Sequence, residues 1–450
     1  MFVAADDTDS MRGNCTTYLA SEIIRIVSEN GWDVIGYPCL VRLNPAIPWK
    51  TRGNGSLVME FGKGRGQKIS IGNYSGKPLF AYSEKSDEEP DIGFLEKIIS
   101  PIVKRLHDPD DSDPGILISS VKPDYSFYRN GVTRVVGRSS VEAEIERIHA
   151  TKMEWGCGRG IIGCVCGMAW VPDDFTFELL TYRPSERWGT KRIYNKDTVE
   201  TAEKTISSSF NSWDDRHRKV AMVPATPCPV MYGFRGDDPD DVLKALDIIE
   251  TEPIERWVLF KSNQGTDDHI IVDPPVSEFI PNSSYSIEGT VVGTNRIKGG
   301  HTFADLDTKY GAVTIGIYSP AQEFRFVIDW LLPGDRIRVF GELRNNPRTL
   351  NVEKIQVVEL VPLLVKDSNP CCPVCGKKMS SAGKDQGYRC RSCGTKAPVS
   401  FSEVHRNIVP GWYEPPTESR RHLSKPLKRM GLEQPVEILR CKNNTFDNQR

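Results

Sequence analysis

Apolar and polar positions fall into several distinct registers along the chain, and these registers divide it. A short apolar run at 2–5 reads as a strand ending in the polar stretch Asp6-Asp7-Thr8-Asp9-Ser10. From about Thr16 to Glu29, Leu19, Ile23, Ile26 and Val27 recur at helical spacing and mark one face of an amphipathic helix. Asn14 or Thr16 can cap this helix, and Asn30-Gly31 stops it. Strands are expected at 34–43 and 57–61, on either side of the turn Arg52-Gly53-Asn54-Gly55. Polar, acidic connections at 87–91 and 107–114 close this first unit, 1–114.

The second unit, 115–275, mixes both periods. Strand-like segments at 116–119, 160–170, 175–182, 230–234 and 257–261 alternate with helix-like ones at 141–152, 198–207 and 239–250. That alternation suggests an α+β or ferredoxin-like sandwich. In the third unit, 283–362, five strands are expected at 286–292, 302–307, 311–318, 336–343 and 350–360. Five strands with short turns have the size and rhythm of an OB barrel, a fold that binds single-stranded or looped nucleic acid. An unrelated small β-barrel is the plain alternative.

Length and composition agree with this division. A chain of 450 residues suggests about three or four domains, and 38% hydrophobic with 26% charged residues excludes global disorder. The longest strongly apolar run, 161–171, is broken by Gly163 and Gly167 and falls short of the roughly 20 residues a bilayer requires. The first residues carry no basic n-region and no long apolar core, so a soluble, cytoplasmic protein without membrane partners is expected. The net charge of −2 hides an asymmetry. Residues 361–450 hold 16 Lys and Arg against 8 Asp and Glu, or +8, and the remainder holds 42 against 52, or −10. A basic C-terminal portion, including a tail at 401–450, points to nucleic acid, with a solvated charged tail as the alternative.

Candidate chemistry is concentrated at three places. Five of the twelve cysteines lie within 371–393, and Cys372-Pro-Val-Cys375 and Cys390-Arg-Ser-Cys393 form two CxxC knuckles, each followed by glycine. Four thiolates at this spacing close a tetrahedral structural Zn²⁺ site in a ribbon at 368–400. The register favours Cys372 over its neighbour Cys371. Lys377, Lys378, Arg389 and Arg391 around the knuckles suggest contact with RNA. Cys157, Cys164 and Cys166 read as small core residues.

The second place is the acidic strand end. Asp6, Asp7 and Asp9 repel one another unless a cation intervenes, and Mg²⁺ carrying ATP phosphates fits a strand-to-helix junction. A capped acidic turn is the alternative. Thr16 and Thr17 follow Gly13-Asn14-Cys15 and can offer hydroxyls to a phosphoryl group. The third place is the set of Gly-rich loops with an embedded arginine, Gly62-Lys-Gly-Arg-Gly66 and Gly156-Cys-Gly-Arg-Gly160. Gly13, Arg52, Gly53, Gly158, Arg159 and Gly160 are therefore candidate phosphate contacts. Gln264, Thr266, Asp268 and His269 form a candidate substrate loop after an apolar strand, with a plain turn as the other reading.

The order of these features carries more than any one of them. DDTDS, GNCTT, KTRGNG, GCGRGIIG, FELLTYR, SNQGTDDH, an OB-like segment and CPVCG…CRSCG follow one another along essentially the whole chain. In this the sequence closely resembles the archaeal tRNA-isoleucine agmatinylcytidine synthetases. The resemblance implies a multidomain α+β protein: a kinase-like catalytic domain, a ferredoxin-like domain, an OB fold and a zinc ribbon. It implies ATP-dependent attachment of agmatine to C2 of the wobble cytidine of an isoleucine tRNA, so that AUA is read in place of AUG, with no obligate protein partner. It also implies that Asp6, Asp7 and Asp9 handle Mg-ATP and that Thr16 takes a phosphoryl group. A non-catalytic tRNA- or single-strand-binding protein is the alternative from another class. It would leave the acidic strand end without a role.

Overall fold

The computed structural model describes residues 1–50, 53–383 and 386–440. The chain begins with β1 (Phe2–Asp6), α1 (Thr16–Glu29), β2 (Asp33–Ile35), β3 (Cys39–Arg42) and β4 (Gly55–Gly62). Next come β5 (Gly64–Tyr74), β6 (Lys77–Lys85), α2 (Ile92–Leu106), β7 (Gly115–Ser119), α3 (Tyr125–Thr133), α4 (Arg138–Arg147) and β8 (Thr151–Glu154). The central strand, β1, lies between β4 and β7, antiparallel to both. Its side chains alternate between two buried faces. Val3 and Ala5 join Leu57, Met59, Ile116 and Ile118 in a core with α1 and α2. Ala4 joins Val58 and Leu117 in a second core with residues of α3, α4 and the later helix 160–168. Burial on both faces explains why β1 and β7 read as unbroken apolar runs.

The same sheet continues into the second half of the body. After α5 (Gly160–Met168) come β9 (Thr176–Tyr182), α6 (Lys196–Thr205), the small pair β10 (Trp213–Asp214) and β11 (Lys219–Val220), and β12 (Val230–Gly236). Two short helices, α7 (Pro239–Leu243) and α8 (Ala245–Ile248), lead to β13 (Arg256–Ser262). The eleven strands run β12-β9-β13-β5-β6-β2-β4-β1-β7-β8, and β3 pairs with both β4 and β13. This pairing joins the two halves at the level of Leu40 and Ser262, and the connection 107–114 links α2 to β7 within one sheet.

Several local expectations change. Residues 160–170, expected as a strand, form α5. Gly160, Gly163 and Gly167 lie on one helical face, where a Cβ at 163 would overlap the Asp6 carboxylate and one at 167 would crowd Ser56. This bare face lets the helix lie directly on β1 and β4, and tertiary packing overrides the β propensity of its Ile, Val and Cys residues. The helix expected at 141–152 ends at Arg147 and gives way to β8, and 239–250 splits into two helices.

The third unit is a closed barrel. Its strands are β15 (Ser283–Arg296), β16 (Thr302–Thr308), β17 (Gly311–Ile317), β18 (Arg336–Leu343) and β19 (Leu350–Glu359), preceded by β14 (Ile270–Val272), which adds parallel to β15. The order β15-β16-β17-β19-β18 closes through β15–β18, so all five expected strands are present. The zinc-ribbon segment is an insertion carried on the ladder β20 (Leu364–Lys366) with β24 (Phe401–Glu403). Inside it are β21 (Ser380–Ser381), β22 (Tyr388–Arg389) and β23 (Lys396–Ala397). The following segment is not the solvated tail that stood as the alternative reading. Strand β25 (Gly411–Tyr413) pairs with β19, Ile438 enters the barrel core and Leu423 enters the α3–α5 core.

Candidate active site

The end of β1 and the start of α1 build the first part of the site. Thr16 is nearly buried on the first turn of α1, and its backbone N–H donates to Asp9 Oδ1 at 2.8 Å. Its hydroxyl donates to the same oxygen at 3.2 Å and accepts from Thr8 Oγ1 at 3.1 Å. The hydroxyl proton is thus aimed at a carboxylate. Asp7 sits at φ 60°, a left-handed conformation costing on the order of 1 kcal/mol, of the kind that persists where a site holds it. Burial, then the neighbouring Asp7, pushes the Asp6 carboxyl well above its usual range. Burial and Asp113 push Asp7 to about 6, against the opposing pull of Arg159. Three oxygen donors short of positive charge suit a hard divalent cation.

These residues floor a cavity whose walls include Arg159, Gly160 and Gly163 of the α5 start, Asn54 and Gly55, and the half-exposed Trp49. Gly158 turns at φ +65°, and α5 presents its N-terminal amide groups beside the carboxylates. Asp113 steadies the approach by accepting from the Cys157 backbone N–H at 2.7 Å and its thiol at 2.8 Å.

A second cavity, of about 300 Å³, opens on the other side of Thr16. It shares Asp9, Thr16, Gly53 and Gly55 with the first, and is completed by Arg42, Glu178, Arg235, His422 and the loop 221–228. Glu178 is buried in the middle of β9, where Arg235 Nε donates to it at 3.0 Å and Arg42 approaches at 3.8 Å. Leu40, Leu57, Leu180, Met222 and Val230 supply apolar walls. Arg192 ties the loop down through the carbonyls of Pro224, Thr226, Cys228 and Val230.

In the ribbon, the Sγ atoms of Cys372, Cys375, Cys390 and Cys393 all lie within 4.8 Å of one another, the only such His/Cys/Asp/Glu group among the described residues. Gly376 and Gly394 turn at φ +67° and +77° after each CxxC, as two knuckles require. The four thiols fit tetrahedral Zn²⁺, and Cys371 lies outside the set.

Comparisons with known proteins decide the family. The models of the TiaS TCKD domain, the TiaS FLD domain, an OB-fold nucleic acid binding domain and the TiaS C-terminal zinc ribbon domain match residues 2–157, 158–269, 285–358 and 369–408. An isoleucine-tRNA 2-agmatinylcytidine synthetase, TiaS, from Archaeoglobus fulgidus is 36% identical over 444 residues, covering 96% of this chain and 98% of the relative. One from Methanosarcina acetivorans is 38% identical over 441 residues, covering 95% and 97%. The chain belongs to the TiaS family of isoleucine-tRNA 2-agmatinylcytidine synthetases. A solved complex of TiaS with isoleucine tRNA and ATP superposes with a TM-score of 0.83 at 34% identity, covering 97% of this chain and 99% of that one. A complex of TiaS with isoleucine tRNA, AMPCPP and agmatine superposes at 0.80 with 32% identity over the same shares.

Within this agmatinylcytidine synthetase only some of the expected residues come together. Asp6, Asp7, Asp9, Thr16, Gly53, Arg159 and Gly160 come together around the first cavity. Gly13 and Gly158 shape adjoining turns without lining it, and the 62–66 loop belongs to the distant β4–β5 hairpin. Arg52 lies outside the described residues. The 264–269 loop sits behind the cavities: Gln264 donates to Glu178, Tyr128 donates to Asp268, and His269 Nε2 meets Glu353 of the barrel at 2.9 Å. Lys377, Lys378, Arg389 and Arg391 are all exposed on the ribbon. Cys164 and Cys166 are core residues as expected, whereas Cys157 is exposed.

Glu178, Arg42, Arg235, Lys50 and His422 escaped the sequence reading. Only Glu178 left a signal, a lone carboxylate inside the apolar strand FELLTY. The three cations and the His422 imidazole come from four separate segments that only the fold brings together.

Proposed function

We propose that Thr16 is the phosphoryl acceptor of an ATP-dependent tRNA-modifying ligase that joins agmatine to C2 of the wobble cytidine of an isoleucine tRNA. The ligase activity follows from family membership over almost the whole chain. The observation that carries the role of Thr16 is its hydroxyl, shared by two cavities and hydrogen-bonded to Asp9. We read the organisation as a kinase-like unit, a ferredoxin-like unit, the OB barrel, the zinc ribbon and the C-terminal segment. ATP and tRNA are cytoplasmic, and we assign the protein to that compartment.

The first cavity takes the nucleotide. Asp6, Asp7 and Asp9 would hold Mg²⁺, which neutralises the phosphate oxygens when bound. Arg159 and the α5 amides face the triphosphate, so the transferring group meets preorganised positive charge. Asp9 draws the proton from Thr16 Oγ as that oxygen bonds to phosphorus, and the terminal phosphate departs from the nucleotide. The phosphoryl group then passes to O2 of the cytidine, turning a poor leaving group into phosphate. The target base must leave the anticodon stack, which costs a few kcal/mol and is cheap in a loop.

The second cavity suits agmatine. Its apolar walls match a tetramethylene chain, and Asp9 offers a carboxylate to a cationic end, while Arg235 and Gln264 hold the carboxylate of Glu178. From here the primary amine, once deprotonated, attacks C2 and expels phosphate. Lys377, Lys378, Arg389 and Arg391 would grip tRNA phosphates on the ribbon. ATP consumption that requires both tRNA and agmatine, with agmatine found at the wobble cytidine by mass spectrometry, tests this function. ATP consumption with neither present, or binding of tRNA without ATP turnover, would overturn it.

A further inference from the structure

A third cavity, of about 300 Å³, opens from the same junction. It meets the first at Leu43, Lys50, Gly53 and Asn54, and the second at Arg42, Gly53 and His422. Its far wall is Arg420, Arg421 and Leu423 of the returning C-terminal segment. Three openings therefore converge on Gly53, and the reaction has three substrates.

The third opening differs from the others in charge. Arg42, Lys50, Arg420, Arg421 and His422 line it, and among the described residues no carboxylate does. The acids that balance these cations stand behind them. Arg420 pairs with Glu414 at 2.8 Å, and Arg421 pairs with Glu342 and with Glu353. Two cations keep little or no such balance. Lys50 Nζ donates to the Pro45 carbonyl at 2.7 Å and has no carboxylate partner among the described residues. Arg42 Nε is buried without an acceptor, and the nearest carboxylate to its guanidinium is at 3.8 Å. The crowding has a further sign. Arg42 pushes the His422 imidazole far below the ordinary histidine range, and burial followed by Arg421 lowers Lys50.

We propose that this third cavity seats a backbone phosphodiester of the RNA strand beside the wobble cytidine, fixing the loop while the base enters the site. The inference rests on tRNA being the substrate and deepens that reading. A phosphate monoanion is the chemistry that four cations beside a neutral imidazole, without a lining acid, would recognise. It could in principle come from ATP or from RNA. A triphosphate travels with a divalent cation and seeks carboxylates, which the first cavity has and the third lacks. A phosphodiester carries no metal, and a strand delivering one base to the Thr16 junction must leave its neighbouring phosphates within a nucleotide or two of it.

Direct binding, with turnover measured separately, keeps the two readings apart. Full-length tRNA with a single neutral methylphosphonate at each linkage flanking the wobble position is titrated against the wild-type protein and Lys50→Gln. Lys50 is exposed and lies in a loop, so the variant should keep its melting temperature. At one linkage the wild type should lose about tenfold in affinity, and Lys50→Gln should lose about as much on unmodified tRNA. The two changes together should cost little more than either alone, since both remove the same contact. Lys50→Arg should restore affinity. Multiplicative losses at every linkage, or no linkage that matters to the wild type, would overturn the proposal. So would a Lys50→Gln variant that loses ATP affinity while binding tRNA normally. A wild type that binds tRNA as described yet transfers no agmatine would leave this site standing and sink the catalytic reading.

Discussion

The molecule holds one group of thiols gathered for a metal and one group of carboxylates that we propose for Mg-ATP, and they are built on opposite plans. The ribbon gathers four cysteines from 22 residues of chain, Cys372 to Cys393, into a set with no room for a further ligand. The strand end gathers three aspartates from four residues, yet its remaining walls come from the start of α5, from Trp49, Lys50 and Gly53 to Gly55, and from the end of α3 and the residues after it. The first plan saturates the ion and yields structure. The second, as we propose it, would leave coordination positions open for phosphate oxygens. Local spacing is enough to specify a closed site, whereas an open one needs the whole fold around it.

The strongest way to break this contrast is at the open site. Asp7→Asn or Asp9→Asn should lower ATP turnover by about 10³ or more while tRNA affinity stays within a few-fold. Brief EDTA treatment should have the same effect on turnover without releasing zinc. Near-normal turnover in both variants would remove the metal assignment. Thr16→Ala should abolish agmatine transfer, and mass spectrometry of the wild type after incubation with ATP should find phosphate on Thr16. Phosphate elsewhere, with an active Thr16→Ala protein, would move the acceptor.

Gly163→Ala tests whether the open site depends on helix packing. A Cβ there overlaps the Asp6 carboxylate, and overpacking of this kind costs about 1–3 kcal/mol. The expected result is a roughly 100-fold loss of turnover with the ribbon unaffected. On the closed side, Cys390→Ser should lose zinc and unfold 372–393 locally. Affinity for tRNA should then fall about tenfold with a shallower salt dependence, while ATP binding persists. Unchanged affinity in a zinc-free protein would show that the ribbon does not hold the tRNA.

The smallest effect lies at the joint between body and barrel. Burial alone would raise Glu353, but Arg421 and then His269 hold its carboxyl at about 2. A carboxyl depressed from about 4.5 stabilises the fold above that pH and loses its contribution as pH falls towards 2. Thermal melting should therefore drop more steeply between pH 4.5 and 2 in the wild type than in Glu353→Gln, whose baseline is lower throughout.

The sequence made legible whatever local pattern dictates. The α1 face, the five barrel strands and the CxxC pairs all stand where spacing puts them. It misread α5 because Ile, Val and Cys favour strands in isolation, and only the fit of Gly163 against Asp6 reveals the helix. It missed Arg42, Arg235 and His422 because a polar side chain on a loop or strand looks like a solvated one until distant chain covers it, and Lys50 because it stays exposed. The 264–269 loop shows the converse case. Its polar residues mark a buried joint with the barrel and the C-terminal segment, where Gly265 and Asp267 donate to the carbonyls of His422 and Leu423.

That return of the C-terminal segment bears on the order in which the protein can be made. Domains fold as they leave the ribosome, early ones first, so β1, α1 and α5 can assemble while the barrel is still being translated. The α3–α5 core, however, waits for Leu423, and His422 reaches the Thr16 junction only once the ribbon has been synthesised. Until then the first cavity, which among the described residues none after Cys166 lines, can be complete while the second and third each lack a wall. On the assignments proposed above, nucleotide could bind before RNA could be positioned, and the second ability would come only when synthesis is well past the ribbon.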